Sequence, residues 1–148
     1  MAILGIDYGA KKIGVAKSDD SETMALPLEI IANISQSAVL ERLKKICHDN
    51  DILKIVVGVP ISLAAGDSQH LIRQVDLQNQ QMKEVLEFVS WLAANIGLPV
   101  LVEDERLSTK QAAVMNKDLA KRGADDDVAA MLILQSYLDR AKFLPNHS

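Results

Sequence analysis

Apolar and polar positions alternate through residues 2–8, with Leu4, Ile6 and Tyr8 on one face and Ile3, Gly5 and Asp7 on the other. That is the period of a strand. Residues 12–19 read as its returning partner, with Ile13 and Val15 on one side and Gly14, Ala16 and Ser18 on the other. Gly5, Gly14 and Ala16 then form a shallow floor on which another backbone can approach Asp7 closely. Residues 24–32 predict a third strand, and Pro27 favours an early or edge position for it.

From Ser35 the period lengthens. Val39, Leu40, Leu43, Ile46 and Cys47 recur at helix spacing, and the pattern ends in Asp49-Asn50-Asp51. Ile52 to Val59 is a continuous apolar run of strand length, typical of a buried parallel strand, closed by Gly58 and Pro60. After a loop at Ala64 to Ser68, Leu71, Val75, Met82, Val85, Leu86, Val89, Leu92 and Ile96 make one helical stripe, with Lys83, Glu84 and Glu87 off it. Gln78 and Asn79 interrupt that stripe, predicting a break or a protrusion there. Gly97-Leu98-Pro99 ends the helix. Val100 to Asp104 is a short strand running into Glu103-Asp104-Glu105-Arg106-Leu107-Ser108-Thr109, and Ser108 or Thr109 can cap a helix that extends to about Lys121. Asp125-Asp126-Asp127 opens a last helix whose start, Val128 to Leu134, is apolar all round. Three antiparallel strands followed by helix, strand, helix, strand and helices predict a mixed sheet flanked by helices.

The totals add bounds to this picture. A chain of 148 residues with 49% hydrophobic and 24% charged positions suits a single soluble domain. No apolar run is long enough to cross a bilayer and no leader pattern opens the chain, so the expected location is the cytoplasm, with no membrane partner. Cys47 is the only cysteine and sits at a core position, which predicts a buried thiol. The net charge of -4 argues mildly against a nucleic-acid partner, since such proteins usually carry basic excess. The distribution points the other way: Lys11, Lys12 and Lys17 lie close together early, and Arg106, Lys110, Lys117, Lys121 and Arg122 late.

Asp7 is the residue most in need of explanation. A carboxylate in an apolar strand is costly to bury unless it is paired, hydrogen-bonded or holding a metal. Further acids stand at element ends, in the Glu103 to Glu105 group and at Asp125 to Asp127. Carboxylates from different elements meeting at one point suit Mg²⁺ or Mn²⁺, which are hard and prefer oxygen. Taken singly, each late cluster reads first as a solvated face or a helix cap, ahead of a metal site. His48, His70 and His147 have no metal-ligand spacing, and neither a Gly-x-Ser-x-Gly elbow nor a phosphate-cradling glycine loop is present. Aromatics are 3% of the chain, which argues against a base-stacking platform, and Trp91 reads as packing.

Gly5-Ile6-Asp7-Tyr8-Gly9 with Ile13-Gly14-Val15-Ala16, then Val56-Val57-Gly58-Val59-Pro60, then Asp104-Glu105-Arg106-Leu107-Ser108-Thr109, then Asp126 with Ala129-Ala130 and Ile133 to Leu138, together resemble the YqgF family. This bacterial RNase H-like family is known for pre-16S rRNA nucleases and Holliday junction resolvases. The resemblance implies an α/β fold with a five-stranded mixed sheet, three antiparallel strands then two parallel, in one nuclease domain over residues 1–142 with a tail at 143–148. It implies a divalent-metal site of Asp7, Glu105 and Asp126, with Asp104 the alternative to Glu105. The family register also selects Asp126, a choice that spacing leaves open among the three aspartates. Lys11, Lys12, Arg106, Ser108 and Thr109 become candidates for phosphate contacts. The implied reaction is metal-dependent hydrolysis of structured nucleic acid, precursor rRNA before branched DNA, by a monomer or weak homodimer. A non-catalytic RNA-binding or ribosome-assembly module of the same fold is the alternative. Three departures bear on substrate. The segment between Pro60 and Asp104 is longer than usual for the family, the one between Thr109 and Asp126 is shorter, and where resolvase relatives end the fourth strand with an acid this chain has Gly58-Val59-Pro60.

Overall fold

The computed structural model describes residues 1–59, 70–104 and 126–141, with the backbone alone at 70–79 and 126–127. In chain order the elements are β1 (Ala2–Tyr8), β2 (Lys12–Ser18), β3 (Ala25–Ala32), α1 (Gln36–Asp49), β4 (Ile52–Val59), α2 (His70–Ile96), β5 (Val100–Asp104) and α3 (Asp126–Ala141). The strands form one sheet in the order β3-β2-β1-β4-β5. β1 to β3 are antiparallel neighbours, whereas β4 joins β1, and β5 joins β4, in parallel. Parallel pairing requires a crossover between strands; α1 supplies the one between β3 and β4. The five-stranded mixed sheet expected from the sequence is therefore present.

Alternation sorts the core onto two faces. Leu4, Ile6, Ile13, Val15, Ile55 and Val57 are buried under α1 and α2, whose Val39, Leu43, Ile46, Cys47, Val85, Phe88 and Leu92 complete that cluster. Ile3, Ala16, Ala25 and Val56 face the other way, against Ala130, Ile133, Leu134 and Leu138 of α3. At a register shift between Ala2 and Ile3, the Ile3 amide donates instead to the buried Ser18 hydroxyl at 2.8 Å. Ser35 caps α1 by accepting from the Ala38 amide, as the helix start at that residue predicts. Pro27 lies in the edge strand, next to a second register shift.

Two expectations about α2 are corrected. The helix runs unbroken through Gln78 and Asn79; neither residue is a helix breaker of the proline or glycine kind. The buried stripe is also rotated, because Leu86 is 45% exposed while Phe88, absent from the expected stripe, is buried. Phe88 stacks on Tyr8 with centroids 4.4 Å apart, which sets how the helix rolls onto the sheet. Gly97, at φ +77°, then turns the chain into β5. Cys47 is buried as expected, and burial pushes its thiol up to about 11. The expected helix from Ser108 or Thr109 and the tail lie outside the described residues.

Candidate active site

Asp7 stands near the carboxyl end of β1, half-buried, on the face covered by α3. What brings α3 there is the absence of a side chain at Gly5. A Cβ at that position would lie 2.7 Å from the Leu134 Cβ and 3.0 Å from the Ala130 carbonyl oxygen. The small-residue floor read from the sequence thus receives a helix backbone two residues from Asp7. Further along α3, Gln135 accepts from the Ala25 amide at 2.8 Å and Tyr137 lies beneath the Lys54 ammonium, 5.2 Å from its ring centroid. Ala25 pairs with Ser18, and Lys54 with Ile3, so both belong to the end of the sheet away from Asp7. The first turn of α3, opening at Asp126, consequently points toward the Asp7 end. Of the three expected metal ligands, the structure describes the Asp7 side chain and the backbone of Asp126; Glu105 lies outside the described residues.

The middle acidic group divides by strand parity. Continuing the β1–β4 register one residue past Ile6–Val57 brings Asp7 level with Gly58, which pairs with Glu103. Glu103 therefore shares the Asp7 face. Its Cα is about 10 Å from that of Asp7, two strand spacings away. Asp104 pairs with Val59, whose side chain belongs to the opposite core, so the alternative ligand Asp104 leaves the strand on the other parity. Glu103 is the functional-looking acid that the sequence reading grouped with solvated ones. It is 1% exposed, and its Oε2 accepts from the Arg140 guanidinium at 2.6 Å. Its Oε1 has no hydrogen-bond partner among the described residues. Burial pushes this carboxyl above its ordinary range, and the Arg140 charge opposes that push. The pair ties β5, which leads into Glu105, to the helix that opens with Asp126. A charged residue one step from a strand end, with an arginine in the last turn of the final helix, was the signal available in the sequence.

Lys11 and Lys12 are both exposed at the β1–β2 turn. The turn is tight: a Cβ on Gly9 would lie 2.5 Å from the Lys12 carbonyl oxygen. Asn33 braces it, donating from its amide side chain to the Gly9 carbonyl at 3.0 Å and from its backbone to the Lys11 carbonyl at 2.9 Å. Lys17 departs from the early basic group, since it lies toward the far end of β2 and donates to Asn50 at 3.0 Å. Arg106, Ser108 and Thr109 lie outside the described residues. Among the described residues no three His, Cys, Asp or Glu side chains converge as a complete metal site, and no helix is long and apolar enough to cross a membrane. The donor chemistry at Asp7 nevertheless suits a hard divalent cation, because the group offered is carboxylate oxygen.

Comparison with known proteins agrees with this architecture. The RuvX family model, described as "Holliday junction resolvase", matches residues 1–140. A "Putative pre-16S rRNA nuclease" of Rickettsia peacockii is 33% identical over 147 residues, covering 95% of this chain and 87% of its own length. One of the same name from Rickettsia felis is 34% identical over 149 residues, with 96% and 88% covered. Among solved structures, Thermus thermophilus RuvC in complex with a Holliday junction substrate superposes with a TM-score of 0.57 at 17% identity, covering 96% of each chain. The fowlpox virus Holliday junction resolvase gives 0.50 at 11% identity, covering 95% of this chain and 99% of its own. These two share the fold. The match along nearly the whole chain means that the chain belongs to the RuvX family, the YqgF family of the sequence resemblance, whose members are hydrolases of phosphodiester bonds.

Proposed function

We propose that the protein is a divalent-metal-dependent nuclease that processes the 5′ end of precursor 16S rRNA. The observation that carries this reading is the placement of Asp7 on the α3 face, with Gly5 bare so that Ala130 and Leu134 sit on the strand beside it. Asp7, Glu105 and Asp126 would hold Mg²⁺ or Mn²⁺. When bound, such an ion supplies charge neutralisation for the scissile phosphate and lowers the pKa of a water nucleophile. The chain's own part is positioning. The Glu103–Arg140 pair ties β5 to α3, while Lys11 and Lys12 meet backbone phosphates beyond the turn, contacts that position nucleic acid without reading its sequence. The names of the Rickettsia relatives support rRNA as the substrate.

A second reading, cleavage of branched DNA, is favoured by the family description. It is weakened by Gly58 at the strand end where resolvase relatives carry an acid. Assaying precursor rRNA and a synthetic four-way junction in parallel, with Mn²⁺, separates the two. The expected result is cutting of the RNA, lost by at least about a hundredfold in Asp7→Asn while the variant keeps its fold. Metal-independent cleavage that survives this substitution would sink the proposal.

A further inference from the structure

On the face of the sheet opposite Asp7, a cavity of about 140 Å³ opens between β1, α1 and α2. Tyr8, Asn33, Glu84, Glu87, Phe88 and Trp91 line it. Three of the chain's five aromatic residues meet there, so a scarcity that argues against an extended stacking platform becomes a local concentration. Phe88 is buried at the back, stacked on Tyr8 and tilted against Trp91 at 5.8 Å between centroids. Tyr8 and Trp91 remain half-exposed. Glu84 and Glu87 are exposed, and no hydrogen bond or ion pair ties either carboxylate to a described residue. Both carboxylates therefore stand in solvent at the rim of the aromatic wall, with their acceptor oxygens open to a ligand. A ligand with a flat ring and hydrogen-bond donors on its edge uses both.

We propose that this cavity binds one amino-bearing nucleobase, cytosine by size, from the nucleic-acid strand held at Asp7; it rests on the nuclease reading above. Dry cavities on the order of 150 Å³ admit a six-membered ring, so a pyrimidine matches the volume. Aromatic side chains stack on base faces, and a glutamate accepts from the exocyclic amino group of cytosine. Uracil places a carbonyl oxygen where that amino group would be, against the same carboxylates. The acidic rim repels phosphate, which keeps the backbone outside and on the Lys11–Lys12 side. Connectivity supplies the link to the reacting centre. Tyr8 follows Asp7 directly, their Cα atoms about 3.8 Å apart, and their side chains leave β1 on opposite faces. A strand crossing the end of β1 can therefore present a phosphate to Asp7 and a neighbouring base to Tyr8. Asn33 braces the Gly9 carbonyl and so joins the cavity wall to the same turn.

Trp91 is the chain's single tryptophan, which makes the cavity its own reporter. The full-length Asp7→Asn variant, in chelator to prevent cleavage, is titrated with five-nucleotide oligocytidylate and oligouridylate while Trp91 fluorescence is followed. Oligocytidylate is expected to quench saturably and to bind about tenfold tighter than oligouridylate, the value of one hydrogen bond to a charged acceptor. Adding Glu84→Ala and Glu87→Ala, which removes both acceptors from exposed positions, should remove that preference without changing Tm. Equal quenching by the two oligomers, no quenching, or a preference that survives both alanine substitutions overturns the assignment. The outcomes remain separable from the nuclease reading. Cleavage lost in Asp7→Asn with a silent Trp91 refutes the base site alone, whereas a cytosine-selective response with cleavage surviving Asp7→Asn refutes the nuclease site alone.

Discussion

At Gly5 a single hydrogen atom decides whether α3 can reach the sheet beside Asp7. Gly5→Ala would set a methyl against Leu134 and the Ala130 carbonyl, both on α3, so the helix must move. Overpacking of this kind costs about 1–3 kcal/mol, readable by urea denaturation, and cleavage is expected to fall further than stability because the first turn of α3 shifts relative to Asp7. A variant with unchanged stability and activity would show that this approach is not needed. Cys47 offers a test at the same scale. Its thiol is pushed up to about 11 by burial, so the reactive thiolate is scarce at pH 8 and forms only as the pH nears that value. Iodoacetamide should leave the native protein unlabelled at pH 8 and label it fully once urea unfolds it. Both residues were legible in the sequence, Gly5 as a gap in an apolar face and Cys47 as a helix-periodic core position. Glu103 was not: its neighbours Asp104 and Glu105 made an acidic run, and only the pairing of Glu103 with Gly58 and Arg140 shows that it is buried.

Among the elements, those with one clear apolar face could be read to the residue. α1 begins after its Ser35 cap and buries Val39, Leu43, Ile46 and Cys47 as its period marks, with Leu40 half-buried at the edge of the stripe. α2 shows the limit, since periodicity locates a stripe but not the roll of the helix on its neighbour. The stacking of Phe88 on Tyr8 chose a roll that leaves Leu86 in solvent. α3 has apolar residues around its whole first half, so its orientation is set by partners: Gly5 beneath, Ala25 and Thr23 bound to Gln135, and Glu103 bound to Arg140. Arg140→Ala tests the last of these. It would leave a buried carboxylate without its counter-charge, and because Arg140 is half-exposed the expected loss is about 1–3 kcal/mol, below that of a fully buried pair. The check is the midpoint of chemical denaturation. Its insensitivity to the substitution would mean that the ion pair does not hold α3 to β5.

For the molecule as a whole, the proposed metal site draws acids from β1, from the segment after β5 and from the start of α3. Binding there should therefore stabilise the entire fold. Mn²⁺ at about a hundred times its dissociation constant contributes about 2.7 kcal/mol, which for a chain of this length raises Tm by about 5–10 °C. The rise is expected in the native sequence and absent in Asp7→Asn; a Tm that ignores Mn²⁺ in both would count against a site shared between elements. The net charge of -4 belongs to this scale too, and it understates the potential for phosphate contact because Lys11 and Lys12 project at one turn. Local pattern in the chain was enough for the strands, their faces and the place of Asp7, because strand period and core burial are local, and the resemblance to the YqgF family added the order of antiparallel and parallel pairing. Packing between elements settled which acid is buried against Arg140, which face of α2 is hidden, and that Tyr8, Phe88 and Trp91 share a wall. Those outcomes depend on pairings between residues tens of positions apart, and no local period encodes them.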